Sequence, residues 1–405
     1  MSAALAQLPT RKLVLAILAL AVGGFGIGTT EFAIMGLLPD MAADVGVDNS
    51  AAGLIIAAYA VGVVVGAPLF STLGAKLPHK RLALALMALF TVGNLSSYLA
   101  DEYGWLMLSR FISGLPHGAF FGVAAVIAAS LSAPTRRAQA VAMVMMGLSV
   151  ANVIGVPFAT WLGQEFGWRT MFILVGVIGV LTLLMVARFV PHQDVREGAS
   201  ISRELGALKR GQVWMTLLIG TVGFGGFFAV YTYITPTMTD VAGVPKDLMP
   251  IVVALYGLGM VAGNIVGGRL ADISVLGTIY WVMGAISACL LVFALAVQWA
   301  PTALLFVFLV GAIGSSLIPS LQVRLMDVSP DAPSLASSMN HAALNTANAL
   351  GALLGGAVIA LGWGYTAPAL VGAVLAAFGL GVALLSGRME RRAARATEPV
   401  LAGSR

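Results

Sequence analysis

Two residues in this chain carry charge where charge is costly. Glu31 lies in the segment GIGTTEFAIMGLLPD (26–40), at the end of a long apolar run, and Arg110 opens RFISGLPHGAFFG (110–122) inside another. Of the 17 acidic residues only Glu31 sits well within an apolar run, and of the 22 basic residues only Arg110 does. At the centre of a bilayer each such charge costs about 2.5–3.5 kcal/mol on insertion scales, so it marks a pathway, a relay or a buried pair. A carboxyl group in a cavity whose hydration changes can load and release a proton. Thr29 and Thr30 stand next to it as donors for its charged form. Two readings stand. In one, Glu31 carries a proton while Arg110 tunes it or holds a polar network. In the other, the two form a buried pair that only fixes packing.

Further polar residues fall at helical spacing. Arg110, Gly114 and His117 recur at i, i+4 and i+7 and share one face; His117 suits a structural hydrogen bond as well as proton transfer. Gly114 permits close helix approach, and Pro116 invites a kink. A second stripe, His341, Asn345 and Asn348, has the same spacing and must face protein or water. Helix contact and cavity lining both fit it. Among the aromatics and methionines, Phe25, Phe32, Met35, Tyr59, Phe120, Phe228, Tyr231 and Tyr256, with Phe121 and Phe227, can build an adaptable apolar pocket. Ordinary packing or lipid contact is the alternative for each of them. No span holds a second carboxylate, so no divalent-metal site and no cofactor is expected.

The elements that must position these residues follow from composition. The 405 residues are 59% apolar and 10% charged, against about 25% charged in soluble proteins, and the mean hydropathy is +0.97. Apolar runs of 20 residues or more cross roughly 30 Å of hydrocarbon as helices. Continuous apolar runs argue for helices over a β-barrel. The fold class expected is an all-α polytopic membrane protein in the lipid bilayer. Its single cysteine, Cys289, permits no internal disulfide. The pI near 9.5 comes from basic residues scattered among short loops, so nucleic acid is not an expected partner. The first run is too long for a signal peptide, contains Glu31 and is followed by many others, so it reads as a retained helix.

Twelve spans are expected, near 13–38, 50–73, 80–100, 105–130, 136–163, 169–190, 212–236, 248–272, 277–297, 302–326, 333–362 and 365–387. The longest polar stretch, PHQDVREGASISRELGALKRG (191–211), reads as a cytoplasmic linker with one short surface helix. It divides the chain into six-helix bundles at 1–190 and 212–405, the latter ending in a basic cytoplasmic tail. If the N-terminus, every even–odd loop and the tail share one side, all but three of the 22 basic residues (Arg110, Arg169 and Lys246) fall there. By the excess of Lys and Arg in cytoplasmic loops, both termini should be cytoplasmic. The halves echo each other: VANVIGVPF (150–158) and TANALGALL (346–354) share Ala-Asn-x-x-Gly, and Gly66 aligns with Gly263. Duplicated halves with a site between them are a recurrent transporter plan.

The TTEFAIMGLLPD of span one, the Arg-x-x-x-Gly of span four and the glycine–proline pattern of span five resemble the major facilitator superfamily. The likeness covers essentially the whole chain and is greatest to bacterial twelve-helix drug:proton antiporters, near the arabinose-efflux and chloramphenicol-resistance permeases. It implies two pseudo-symmetric six-helix halves, a monomer in the bacterial cytoplasmic (inner) membrane, and a rocking exchange of a small-molecule substrate for protons. It places a proton-coupling arginine at Arg110, with Gly114, and an antiporter motif on Gly147, Gly155, Pro157 and Gly163, where Val156 interrupts the usual Gly-Pro pair. Asp40 closes the span-one motif. The gating motif survives in the second half as Gly268 to Asp272; in the first half Ala75 stands where the aspartate is expected. Closure of that side then rests on Lys76, Lys80 and Arg81 with other partners.

The function expected is proton-coupled efflux of small amphiphilic or neutral compounds, such as phenicol-like antibiotics or sugars. A proton-coupled importer of a small metabolite is the nearest rival; denser polar lining is the usual mark of uptake carriers. A membrane-embedded enzyme is more remote, because no paired carboxylates, ligand-spaced His/Asp cluster or Gly-x-Ser-x-Gly elbow occurs. ATP as a fuel lacks a Walker motif.

Overall fold

The structure is a computed structural model and describes residues 9–47, 49–193 and 200–397. The first half comprises α1 (Thr10–Asp44), α2 (Asn49–Leu73), α3 (His79–Tyr98), α4 (Tyr103–Leu131), α5 (Pro134–Phe166) and α6 (Arg169–Phe189). The second comprises α7 (Gly211–Thr232), α8 (Met249–Ile273), α9 (Val275–Ala296), α10 (Ala300–Val328), α11 (Pro333–Ala360) and α12 (Ala367–Thr397). Eleven of these are long and apolar enough to cross a membrane. The exception, α3, has 20 residues, enough for about 30 Å of helix. Its apolarity is diluted by His79, Lys80 and Arg81 at its start and by Thr91, Asn94 and Ser97, all three buried. It packs beside α4 and α6 and completes the twelve.

Lipid tails are as apolar as leucine, so helices in a bilayer associate through close packing of small residues. The duplicated halves solve this in the same way. A Cβ on Gly62 or Gly114 would strike the backbone carbonyl of Phe111 or Tyr59, locking α2 against α4. In the second half Gly259 and Gly311 stand against the carbonyls of Phe308 and Tyr256, locking α8 against α10. Residue for residue, Tyr59, Gly62, Phe111 and Gly114 correspond to Tyr256, Gly259, Phe308 and Gly311. The pseudo-symmetry thus extends from pattern to contact.

Between the halves, α2 and α4 face α11, while α5 faces α8 and α10. Two helices depart from α geometry near this seam, with π turns at Ala151–Gly155 in α5 and Ile219–Gly223 in α7. Such turns cluster at functional sites. The connection from α6 to α7 carries a short helix, Ile201–Gly206, whose Ser200 hydroxyl accepts the Arg203 N–H as an N-cap. With an even number of spans in each half, this linker lies on the same face as the start of α1 and the end of α12. We call it the linker face.

Candidate functional site

The first requirement is a place for Arg110, which is 0% exposed. Its guanidinium donates to the Thr30 hydroxyl at 2.9 Å, the Thr30 carbonyl at 3.3 Å and Asn94 Oδ1 at 3.4 Å. Thr30 in turn donates to Asn94 Oδ1 at 2.7 Å, closing a three-helix network of α1, α3 and α4. The cation also lies over the Tyr59 ring, 4.5 Å from its centroid, with Phe172 at 5.5 Å. Cation–π attraction of this kind strengthens where water is excluded. No carboxylate lies within 4.0 Å of Arg110 among the described residues. The network reading of Arg110 therefore describes the geometry, and the Glu31–Arg110 ion pair does not form. The threonines also differ from expectation: Thr29 donates to the Phe25 carbonyl at 2.8 Å and Thr30 to Asn94, so neither serves Glu31.

Glu31 turns instead to the seam between the halves. There it lines a cavity of about 50 Å³ with Phe32, His117, Phe228, His341 and Asn345, all of them expected site residues. A cavity of this volume admits a few waters and is well below the roughly 300–1,000 Å³ taken by drug-sized ligands. His117 comes from the first half and His341 from the second, with ring centroids 5.3 Å apart. The His117 Nδ1 is paired with the Tyr59 hydroxyl at 3.1 Å. The Nε2 atoms of both histidines are buried without a protein partner. One carboxyl group and two unpartnered imidazole nitrogens thus border a water-sized space across which the halves meet.

Aromatic packing shapes the rest of the wall. Phe121 stacks on His341 with ring centroids 4.3 Å apart and planes 9° apart. Its neighbour Phe120, expected to line the pocket, instead points into the first-half core against Gly23 and Met87. Phe32 and Tyr231 meet edge to face across the seam at 5.8 Å, and the Tyr231 hydroxyl donates to Asn152 Oδ1 at 3.0 Å. Tyr256 supports this wall from behind, its ring 5.0 Å from that of Tyr231 and its hydroxyl donating to the Phe227 carbonyl. Phe25 packs against Gly155, where a Cβ would also strike Thr29, so Gly155 is required for α5 to approach α1. Pro157 follows the α5 π turn after Val156. Met35 is 42% exposed and Asn348 is half-buried; neither lines this cavity.

Below the cavity, the linker face is closed by bonds between the halves. The Ser71 hydroxyl donates to that of Ser338 at 2.7 Å, His79 Nε2 pairs with Ser334 Oγ at 3.1 Å, and Arg137 pairs with Asp327 at 3.3 Å. Asp272 accepts the backbone N–H groups of Ala138 at 2.7 Å and Gln139 at 3.1 Å, while Gly268 lets the end of α8 approach the start of α5. Higher up, Asn264 donates to Ser149 at 2.9 Å. Among the described residues no inter-half hydrogen bond or ion pair lies farther from the linker face than Tyr231–Asn152. The basic residues expected to close this face lie on it but, among the described residues, make no bond to the other half. Lys80 donates to the Ala187 carbonyl within its own half, and Lys76 and Arg81 are exposed. Asp40 is exposed on the opposite face.

Several site residues escaped the reading of the sequence. Asn94 and Ser338 carried a signal, as polar residues inside otherwise apolar helices. Asn152 lay within the repeated Ala-Asn-x-x-Gly motif. Phe121 differed from Phe120 only in direction, which tertiary packing sets.

Known proteins align with the chain along nearly all its length. The family model described as Major Facilitator Superfamily matches residues 20–330. An inner membrane transport protein of Escherichia coli K12, YdhP, is 41% identical over 92% of this chain and 96% of its own. A chloramphenicol resistance protein of Streptomyces lividans is 31% identical over 90% of this chain and 94% of its own. Among solved structures, the transporter FucP in its outward conformation superposes with a TM-score of 0.75 at 16% identity, covering 93% of this chain and 99% of that one. Twelve helices in two matched halves, a largely apolar cavity with a few polar groups at their seam and a family match over most of the sequence make one statement: the chain belongs to the major facilitator superfamily of membrane transporters.

Proposed function

We propose that this transporter exports small amphiphilic or neutral compounds, phenicol-like antibiotics or sugars among them, in exchange for protons. The observation that carries this reading is Glu31. Among the described residues it is the one carboxyl group at the inter-half cavity, which it lines with His117 and His341, and it is unpaired with Arg110. A proton on Glu31 and a solute in the enlarged cavity compete for the space beside this carboxyl group. Loading one displaces the other. The name of the Streptomyces lividans relative supports antibiotics as a substrate class, and that of YdhP supports an inner-membrane location.

Alternating access follows from which bonds hold. The linker-face bonds close one entrance while, among the described residues, the halves share no polar bond beyond Tyr231–Asn152. The bundles 1–190 and 212–405 then rock about the cavity, joined by 191–211. With the linker and both termini cytoplasmic, this state faces outward and is poised to load a proton. Each proton contributes about 2.3 kcal/mol per 100 mV of potential and about 1.4 kcal/mol per pH unit. Arg110 keeps Thr30 and the backbone beside Glu31 in place, and a monomer suffices because one chain holds the whole cavity.

The reading is tested in inverted membrane vesicles acidified inside. Accumulation of radiolabelled chloramphenicol or arabinose should follow the pH gradient, collapse with an uncoupler and be lost in Glu31→Gln. Accumulation that survives the uncoupler would refute proton coupling.

A further inference from the structure

The repeated halves show a lock on the linker face in one copy and a substitute for it in the other. In the second half, the end of α8 carries Asp272, whose carboxylate accepts the N–H groups of Ala138 and Gln139. These residues lie in the first turn of α5 beyond Arg137. That turn has backbone donors without helical partners and the positive end of the helix dipole, so a carboxylate there is stabilised. The bond joins the two halves, because α8 and α5 belong to different ones.

The symmetric position is different. The end of α2 corresponds to the end of α8, and α11 corresponds to α5. Ser71 touches Ser338 just as Gly268 touches Ala142. In this register Ala75 takes the place of Asp272, and Leu335 takes the place of Gln139. Alanine offers no acceptor. Nevertheless the Leu335 N–H is bonded at 3.1 Å, by the Glu204 carboxylate. Glu204 belongs to the linker helix Ile201–Gly206. That helix packs against α2, the turn Gly74–Lys76 and α11.

We infer that Glu204 is the positioning residue that stands in for the missing aspartate of the first half and makes the linker a working part of the linker-face gate. The linker is held for this task. Asp331, between α10 and α11, takes ion pairs from Arg203 and Arg210, and Arg210 also donates to the Val328 carbonyl at 3.1 Å. Ala207 packs in a buried cluster with Ala332 and Leu335 at the start of α11. Opening the linker face separates α2 from α11, so the linker helix that carries Glu204, which packs against both, must leave one of them. A bond placed there biases the protein toward the state closed on this face. The inference rests on the alternating-access reading above.

The test uses the full chain with Cys289→Ser, Ser71→Cys and Ser338→Cys, whose replaced hydroxyls lie 2.7 Å apart. The initial rate of disulfide formation with a mild oxidant then reports closure of the linker face. Glu204→Gln should slow it about two- to fivefold, the range a carboxylate supplies at a helix N-terminus. Asp272→Asn is the reference variant for the established-copy lock and should slow it by at least as much. Adding Ala75→Asp to Glu204→Ala should restore the rate, which mere loss of linker structure would not allow. If Asp272→Asn slows the reaction and Glu204→Gln does not, the role of Glu204 is overturned while alternating access stands. If neither does, the gating reading itself fails. Slowing by Glu204→Gln without rescue by Ala75→Asp would remove the substitution of one carboxylate for the other.

Discussion

Arg110, buried in α4, and Glu31, at the cavity between the halves, do not bind each other. Arg110 reaches past Glu31 to its neighbour Thr30, at 2.9 Å from the hydroxyl and 3.3 Å from the carbonyl. The cation is held by Thr30, Asn94 and the Tyr59 ring. The carboxyl group is left to the cavity. This division matters because an ion pair would hold Glu31 charged, whereas a carboxyl group bordering a cavity and two imidazole rings suits the proton exchange proposed above.

Replacing Arg110 should therefore act first on structure near Glu31. Arg110→Gln removes bonds to Thr30 and leaves buried acceptors unpaired, each a loss of about 1–3 kcal/mol. Arg110→Lys keeps the charge but not the planar fork, and should recover only part of it. Thermal unfolding in detergent measures both. Equal midpoints for Arg110→Gln and wild type would contradict the network described.

The glycine seams make a prediction with an internal control. Gly114→Ala places a Cβ against the Tyr59 carbonyl and should destabilise by about 1–3 kcal/mol, the usual range for overpacking. Gly104, in the same helix, has open space around it, so Gly104→Ala should be neutral or stabilise by up to about 1 kcal/mol. Unfolding midpoints of the two variants should move in opposite directions or differ clearly. Two equal shifts would sink the close approach of α4 to α2.

At the face opposite the linker, Asp44 binds Arg169 and accepts the Trp168 indole N–H at 3.1 Å. The Arg169 guanidinium, through its hydrogen bond, holds the Asp44 carboxyl below the ordinary aspartate range. A lowered folded-state value means that the pair adds stability above the ordinary value of about 3.9. That stability is lost as pH falls from there through the lowered value. Solvent screens this half-exposed pair, so the effect is small. Asp44→Asn should lower stability slightly at neutral pH and match wild type at the acid end, flattening the acid limb below about pH 4. An unaltered acid limb would show that the pair does not titrate with folding.

Much of this arrangement was legible in the sequence because membranes penalise charge and reward length. Glu31 and Arg110 stood out by cost alone, and twelve spans followed from runs of apolar residues. The partners of those charges were not legible. Thr29 and Thr30 are adjacent, yet Thr29 turns back to its own helix while Thr30 faces Asn94, and only the rotation of α1 against α3 decides this. Phe120 and Phe121 are separated by one helical step of about 100°, and packing sends one to the core and the other to the cavity. The linker-face closure was assigned to Lys76, Lys80 and Arg81 on motif position. Ser71, His79 and Asp272 make the bonds because helix ends bring short side chains and free backbone N–H groups together there.

The competition between proton and solute at Glu31 is tested most directly by substrate-triggered proton release from purified protein in detergent, comparing wild type with Glu31→Gln. Chloramphenicol, arabinose and a lipophilic cation form the panel, with binding to each form measured in parallel. Wild type should release protons on binding at least one of them, and Glu31→Gln should bind it without release. Equal release from both forms would move the proton to another group, with His117 and His341 the nearest, and reduce Glu31 to a structural role.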